Sequence, residues 1–79
     1  MLAGQQSLRN FYESVKVTNP RIAAVISSDV VTVSMIGLAK DKTGGREAAD
    51  RIRHQTRNLP EIQRRVLEGA LYELLGEES

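Results

Sequence analysis

Apolar residues recur along this chain with two different rhythms. Leu8, Phe11, Tyr12 and Val15 fall at i, i+3, i+4 and i+7, which predicts a helix over residues 5–16 with one apolar face. Thr18, Asn19 and Pro20 end it, because proline disfavours helical geometry at the residue before it. From residue 21 to 38 the chain turns to Ile, Val and Thr around a central Ser27-Ser28-Asp29, and this pattern predicts a β-hairpin. On its second strand Val31, Val33 and Met35 share one face, and Val30, Thr32, Ser34 and Ile36 share the other. A competing reading takes Asn19 as an N-cap and Pro20 as the first position of a short helix through Ile26. The density of β-branched side chains favours the hairpin.

The second half returns to a helical rhythm. Asp41 to Gly45 forms a polar turn, and Thr43 or Gly44 caps a second helix to Arg57, with Glu47 in its first turn. On that helix Ala48, Ala49, Ile52, Thr56 and Leu59 make one narrow stripe, and Arg46, Asp50, Arg53 and Arg57 gather on a polar face. Asn58-Leu59-Pro60-Glu61 then reads as a restart, with Asn as cap and Glu three residues on. A third helix runs to Leu75 and stops at Gly76. Its main stripe is Leu67, Ala70, Leu71 and Leu74, widened by Ile62 and Val66 on one side and by Leu75 on the other. One neighbouring helix does not cover that width.

With 79 residues the chain is one domain, residues 1–79, and a core this small leans on outside support. Cysteine is absent, so that support is not a disulfide, and the single histidine, His54, is too few for a structural zinc site. Ideal packing or oligomerisation is the support that remains. Residues 1–6 lack the basic and apolar regions of a secretory signal, no apolar run is long enough to span a membrane, and the cysteine-free composition agrees with a cytoplasmic location. The formal net charge of +1 hides an uneven distribution. Residues 41–65 hold seven of the eleven basic side chains, whereas residues 66–79 hold four acidic ones and no basic one. Such asymmetry marks a binding face or lets two parts of one fold attract each other.

Asp29-Val30-Val31-Thr32-Val33-Ser34, followed by Arg46-Glu47-Ala48-Ala49 and Ile52, resembles the strand-and-helix pattern of the BON family, small α/β modules of bacterial envelopes. Two glycines of that pattern are Asp29 and Met35 here. The resemblance implies a strand at residues 29–34 and brings no function with it.

Catalytic chemistry finds little to use. His54 lies on a polar face beside Arg53 and Arg57, with no carboxylate or nucleophile at hand. Glu47 and Asp50, interleaved with arginines, and Glu68 and Glu73 read as surface ion-pair partners. Thr43-Gly44-Gly45 opens a helix but lacks the lysine and hydroxyl residue of a P-loop. The arginines stand out: Arg46, Arg51, Arg53, Arg57, Arg64 and Arg65 fall close together with no lysine among them, and arginine suits two-point contact with carboxylate or phosphate. The alternative is that they pair with Glu47, Asp50, Glu61 and the acidic last helix.

The expected fold is therefore α+β in the order α-β-β-α-α, a hairpin packed on helices whose two-stranded sheet is completed by dimerisation. The expected function is a non-enzymatic, homo-oligomeric, regulatory interaction module without metal or cofactor. Its protein partner would meet Arg46, Arg53, Arg57, Arg64 and Arg65, and its dimer interface would use Leu67, Leu71 and Leu74. The alternative is a nucleic-acid-binding regulator using the same arginines.

Overall fold

A computed structural model describes residues 3–35 and 42–76, and among them there is no strand. Four helices run in order: α1 (Ala3–Thr18), α2 (Pro20–Ser34), α3 (Lys42–Gln55) and α4 (Glu61–Leu75). The α+β expectation is overturned at one element, the hairpin, which is helix α2. With it go the strand implied by the BON resemblance and the sheet that a dimer was to complete. Residues 36–38 of the expected hairpin, and Asp41 of the expected turn, lie outside the described residues.

The physical reason begins at Asn19. Its side-chain oxygen accepts the backbone N–H of Ile22 at 3.2 Å and its carbonyl accepts that of Ala23 at 3.1 Å, while Pro20 supplies the first position. A helix launched there brings Ala23, Ile26, Val30 and Val33, spaced three or four apart, onto one buried face. Their burial is worth about 1.5–3 kcal/mol for each large side chain. The helix penalty of a β-branched residue is at most about 0.7 kcal/mol. The hydroxyl groups of the segment bond back to their own helix and so are satisfied within it: Ser27 to the Ala24 carbonyl, Thr32 to that of Ser28 and Ser34 to that of Val30. The expected strand face is thereby split. Val33 is fully buried, but Val31 and Met35 are 61% and 50% exposed.

The other elements follow their apolar stripes more closely. The first helix buries Leu8, Phe11 and Val15, and α3 buries Ala48, Ala49 and Ile52, with Thr56 and Leu59 beyond its end also inside. Thr43, Gly44 and Gly45 form the first turn of α3 rather than a loop ahead of it. The capping box expected at 58–61 does not form. Pro60 is the N-cap of α4, and its carbonyl accepts the N–H groups of Gln63 and Arg64. At the far end Gly76 adopts φ +68°, the left-handed geometry that glycine takes without strain, and its N–H reaches the Tyr72 carbonyl at 2.9 Å.

α1 packs against both α2 and α4, and α2 against α3, while α3 and α4 touch only sparsely. Gly4 lets α1 approach α4 closely, since a Cβ there would stand 2.8 Å from Leu74 Cγ. The same two helices share a polar clasp. The Gln63 amide donates to Ser14 Oγ at 3.2 Å and Thr18 Oγ1 at 3.0 Å, and those hydroxyls give their own protons to the carbonyls of Phe11 and Ser14. Both hydroxyls act as acceptors, so the amide orientation is set and the buried Gln63 Oε1 faces away without a donor among the described residues.

Candidate functional site

The structure divides the expected arginine face into separate uses. Arg53 lies on α3 at the junction with α4, where Nε meets Glu68 Oε2 at 3.0 Å and Nη1 meets Asp50 Oδ1 at 2.9 Å. Arg57 donates from Nη1 to the His54 carbonyl and Arg64 from Nε to the Leu59 carbonyl, so both fasten the α3–α4 connection. Arg65 pairs with Glu61 one turn away on the same exposed face. Arg46 is exposed near the other end of α3. Arg53, Arg57 and Arg64 therefore converge, lining a cleft of about 220 Å³ together with Thr56, Leu67 and Glu68, whereas Arg46 and Arg65 do not join them.

Arg51 has a different role. Its Nε and Nη2 both reach Asp29 Oδ1, at 3.1 and 3.0 Å, tying α3 to α2 across 22 positions of sequence. The hydrogen bond that Arg51 donates to Asp29 raises the guanidinium pKa above its ordinary value, opposed by desolvation and helped by the charges of Asp29 and Glu47. Asp29, expected at a hairpin turn, is a mid-helix partner for this arginine.

Leu67, Leu71 and Leu74, expected at a dimer interface, are all buried inside the single chain. α4 packs chiefly on α1, Leu74 standing against Gly4, and Leu67 borders the arginine cleft on the α3 side, so neighbours within the chain take up the wide stripe. The apolar residues that α4 leaves outside are Ile62, Val66 and Tyr72. Ile62 and Val66 border a shallow depression of about 220 Å³ that reaches Gln63.

His54 is exposed, and Arg57 uses its carbonyl rather than its ring. Asp50 and Glu68 are ion-pair partners of Arg53. Among the described residues no three His, Asp or Glu side chains group as a metal site, and no helix is long and apolar enough to cross a membrane.

A wider concave feature than either the arginine cleft or the depression beside Ile62 lies between α1 and α2. It has a volume of about 420 Å³, with Arg9, Tyr12 and Glu13 on the α1 side and Val30, Val31 and Met35 on the α2 side. Lys16 Nζ stands 5.5 Å from the centre of the Tyr12 ring at one end. The outward face of α2 continues this surface through Ala24, Val25, Ser28 and Thr32, with Arg21 its single charge. Sequence reasoning missed it because a period of two scatters these residues over both faces of a strand. In a helical frame Arg21, Ala24, Ser28, Val31 and Met35 follow spacings of three, four, three and four, a seam pattern. Comparison of the chain with protein-family models, with curated proteins and with solved structures gives no match.

Proposed function

We propose that this protein is a non-enzymatic protein-interaction module whose binding face is the α1–α2 side. The observation that carries the reading is the charge-poor outward face of α2. Val25, Val31 and Met35 are each at least half exposed there, continuous with the groove beside Tyr12. Exposed apolar surface that adjoins a concavity and is rimmed by polar groups is the usual form of a protein-binding site. The hydroxyls of Ser27, Thr32 and Ser34 already donate to their own helix, so covering them strands no donor. A cytoplasmic location, resting on the cysteine-free composition, belongs to the same proposal.

The second reading keeps the arginines as the contact for an acidic partner or nucleic acid. Its support is the convergence of Arg57 and Arg64 at one cleft, each with guanidinium donors left over after one bond to a carbonyl. A photo-crosslinking side chain placed at Val31, and separately at Arg57, tests the two in the native host. Protein adducts from Val31, with itself or another chain, and none from Arg57 are expected. Adducts from Arg57 alone would transfer the function to the arginine cleft.

A further inference from the structure

We propose that the α1–α2 face binds a second copy of this chain, the two α2 helices lying antiparallel about a two-fold axis near Ser28. This rests on the reading of that face as a protein-binding surface and names its occupant. α2 is in register with itself about this axis. Antiparallel pairing centred on Ser28 sets Val25 opposite Val31 and Ala24 opposite Thr32, apolar or small against apolar or small. The small side chains at 24 and 28 let the helices approach in the middle, and the valines fill the space to either side.

The charges at the two ends of α2 match in the same arrangement. α2 has no basic residue in its last turn, so the partial negative charge of its final carbonyls is uncompensated within the helix. Arg21 is exposed at the opposite end of the same face and has no ion pair among the described residues. The two-fold operation sets Arg21 of each copy at the C-terminal end of the other α2, and both ends are matched at once.

α1 favours the same axis, independently of α2's own sequence. Gln5 Nε2 donates to the Ser34 carbonyl at 2.8 Å, so residues of α1 and α2 whose numbers sum to about 39 stand level in the hairpin. Arg9 is then level with Val30, and Glu13 with Ile26. Positions 30 and 26 lie at equal distances either side of Ser28, so the axis chosen from α2 alone also sets Arg9 against Glu13 of the partner subunit, twice. Arg9 has no ion pair within its own chain among the described residues, and Glu13 has only the exposed Lys16 at 3.5 Å. Charge complementarity of this reciprocal kind favours a second copy over an unrelated partner.

A standard interface covers roughly 800 Å² on each partner, about a sixth of the 5067 Å² surface of this chain. One pair of helical hairpins face to face gives an area at the low end of that range, and the dimer is expected to dissociate on dilution.

The natural absence of cysteine makes the test direct. Full-length chain carrying Ser28→Cys is expected to oxidise rapidly to a disulfide-linked dimer, and Ile62→Cys, equally solvent-facing on α4, is not. Sedimentation of the Arg9→Glu and Glu13→Arg chains is expected to show mostly monomer for each alone and a heterodimer on mixing, since only the mixture restores both pairs. Equal oxidation of the two cysteine variants, or no gain on mixing, would overturn the two-fold arrangement. If Val31 photo-adducts then prove to be with a different protein, the interaction reading stands and its second-copy occupant is refuted. If Val31 gives no adduct with a second copy or with any other protein, both the interaction reading and the register that sets Val31 against Val25 of the partner subunit are refuted.

Discussion

Val31 and Val33 are two positions apart and identical in chemistry, yet one faces solvent and the other is sealed in the core. On a strand they would share a face. On a helix they diverge by about 200°. Substituting each with aspartate therefore reads the secondary structure of this segment directly. Val33→Asp is expected to cost several kcal/mol, because an unpaired carboxylate enters a packed interior. Val31→Asp is expected to change stability by less than about 1 kcal/mol, as exposed substitutions do. Chemical denaturation of both variants measures the difference. Equal losses would return the segment to a strand. Single residues were otherwise well marked: Asn19 beside Pro20 already carried the signature of a helix start, and the structure uses both for that purpose.

At the scale of elements, three of the four helices were legible because each repeats apolar positions at three and four, a spacing that only a helix turns into one face. α2 carries that spacing too, at Ala23, Ile26, Val30 and Val33, but a nearly continuous run of β-branched residues masked it. Among so many apolar positions both periods find matches, and local preference then points to strand. Packing against α1 and α3 outweighs that preference, since burial supplies more free energy per residue than propensity removes. The arginines were legible as a cluster but not in their uses. Arg51 needed α2 to be a helix before Asp29 could meet it, and Arg57 and Arg64 bind the carbonyls of His54, in the last turn of α3, and Leu59, in the bend that follows. Replacing Arg53, Arg57 and Arg64 together with glutamine is expected to lower stability modestly, by about 1–2 kcal/mol, since solvent-exposed pairs contribute at most about 1 kcal/mol each. Retention on heparin is expected to change little. A stable triple variant that no longer binds heparin would favour the second functional reading.

At the scale of the whole molecule, α1 and α2 form the hinge of the architecture, with α4 laid on the first and α3 on the second. Ile52 lies in the half built by α3 and Leu71 in the half built by α4, and both belong to one continuous core. Ile52→Ala and Leu71→Ala are each expected to cost about 2–5 kcal/mol. Each is expected to shift one cooperative melt, followed by circular dichroism, rather than split it. Two separate transitions would mean that the halves fold independently. The sequence by itself determined the helical faces of α1, α3 and α4 and the glycine stop at Gly76, because each depends on spacing or one residue's own backbone freedom. Only the tertiary structure decided the conformation of residues 20–34, the burial of Leu67, Leu71 and Leu74 within the chain, and which arginines converge. Those outcomes depend on which surfaces meet, and a local pattern with two possible periods is resolved only by the neighbour it is buried against.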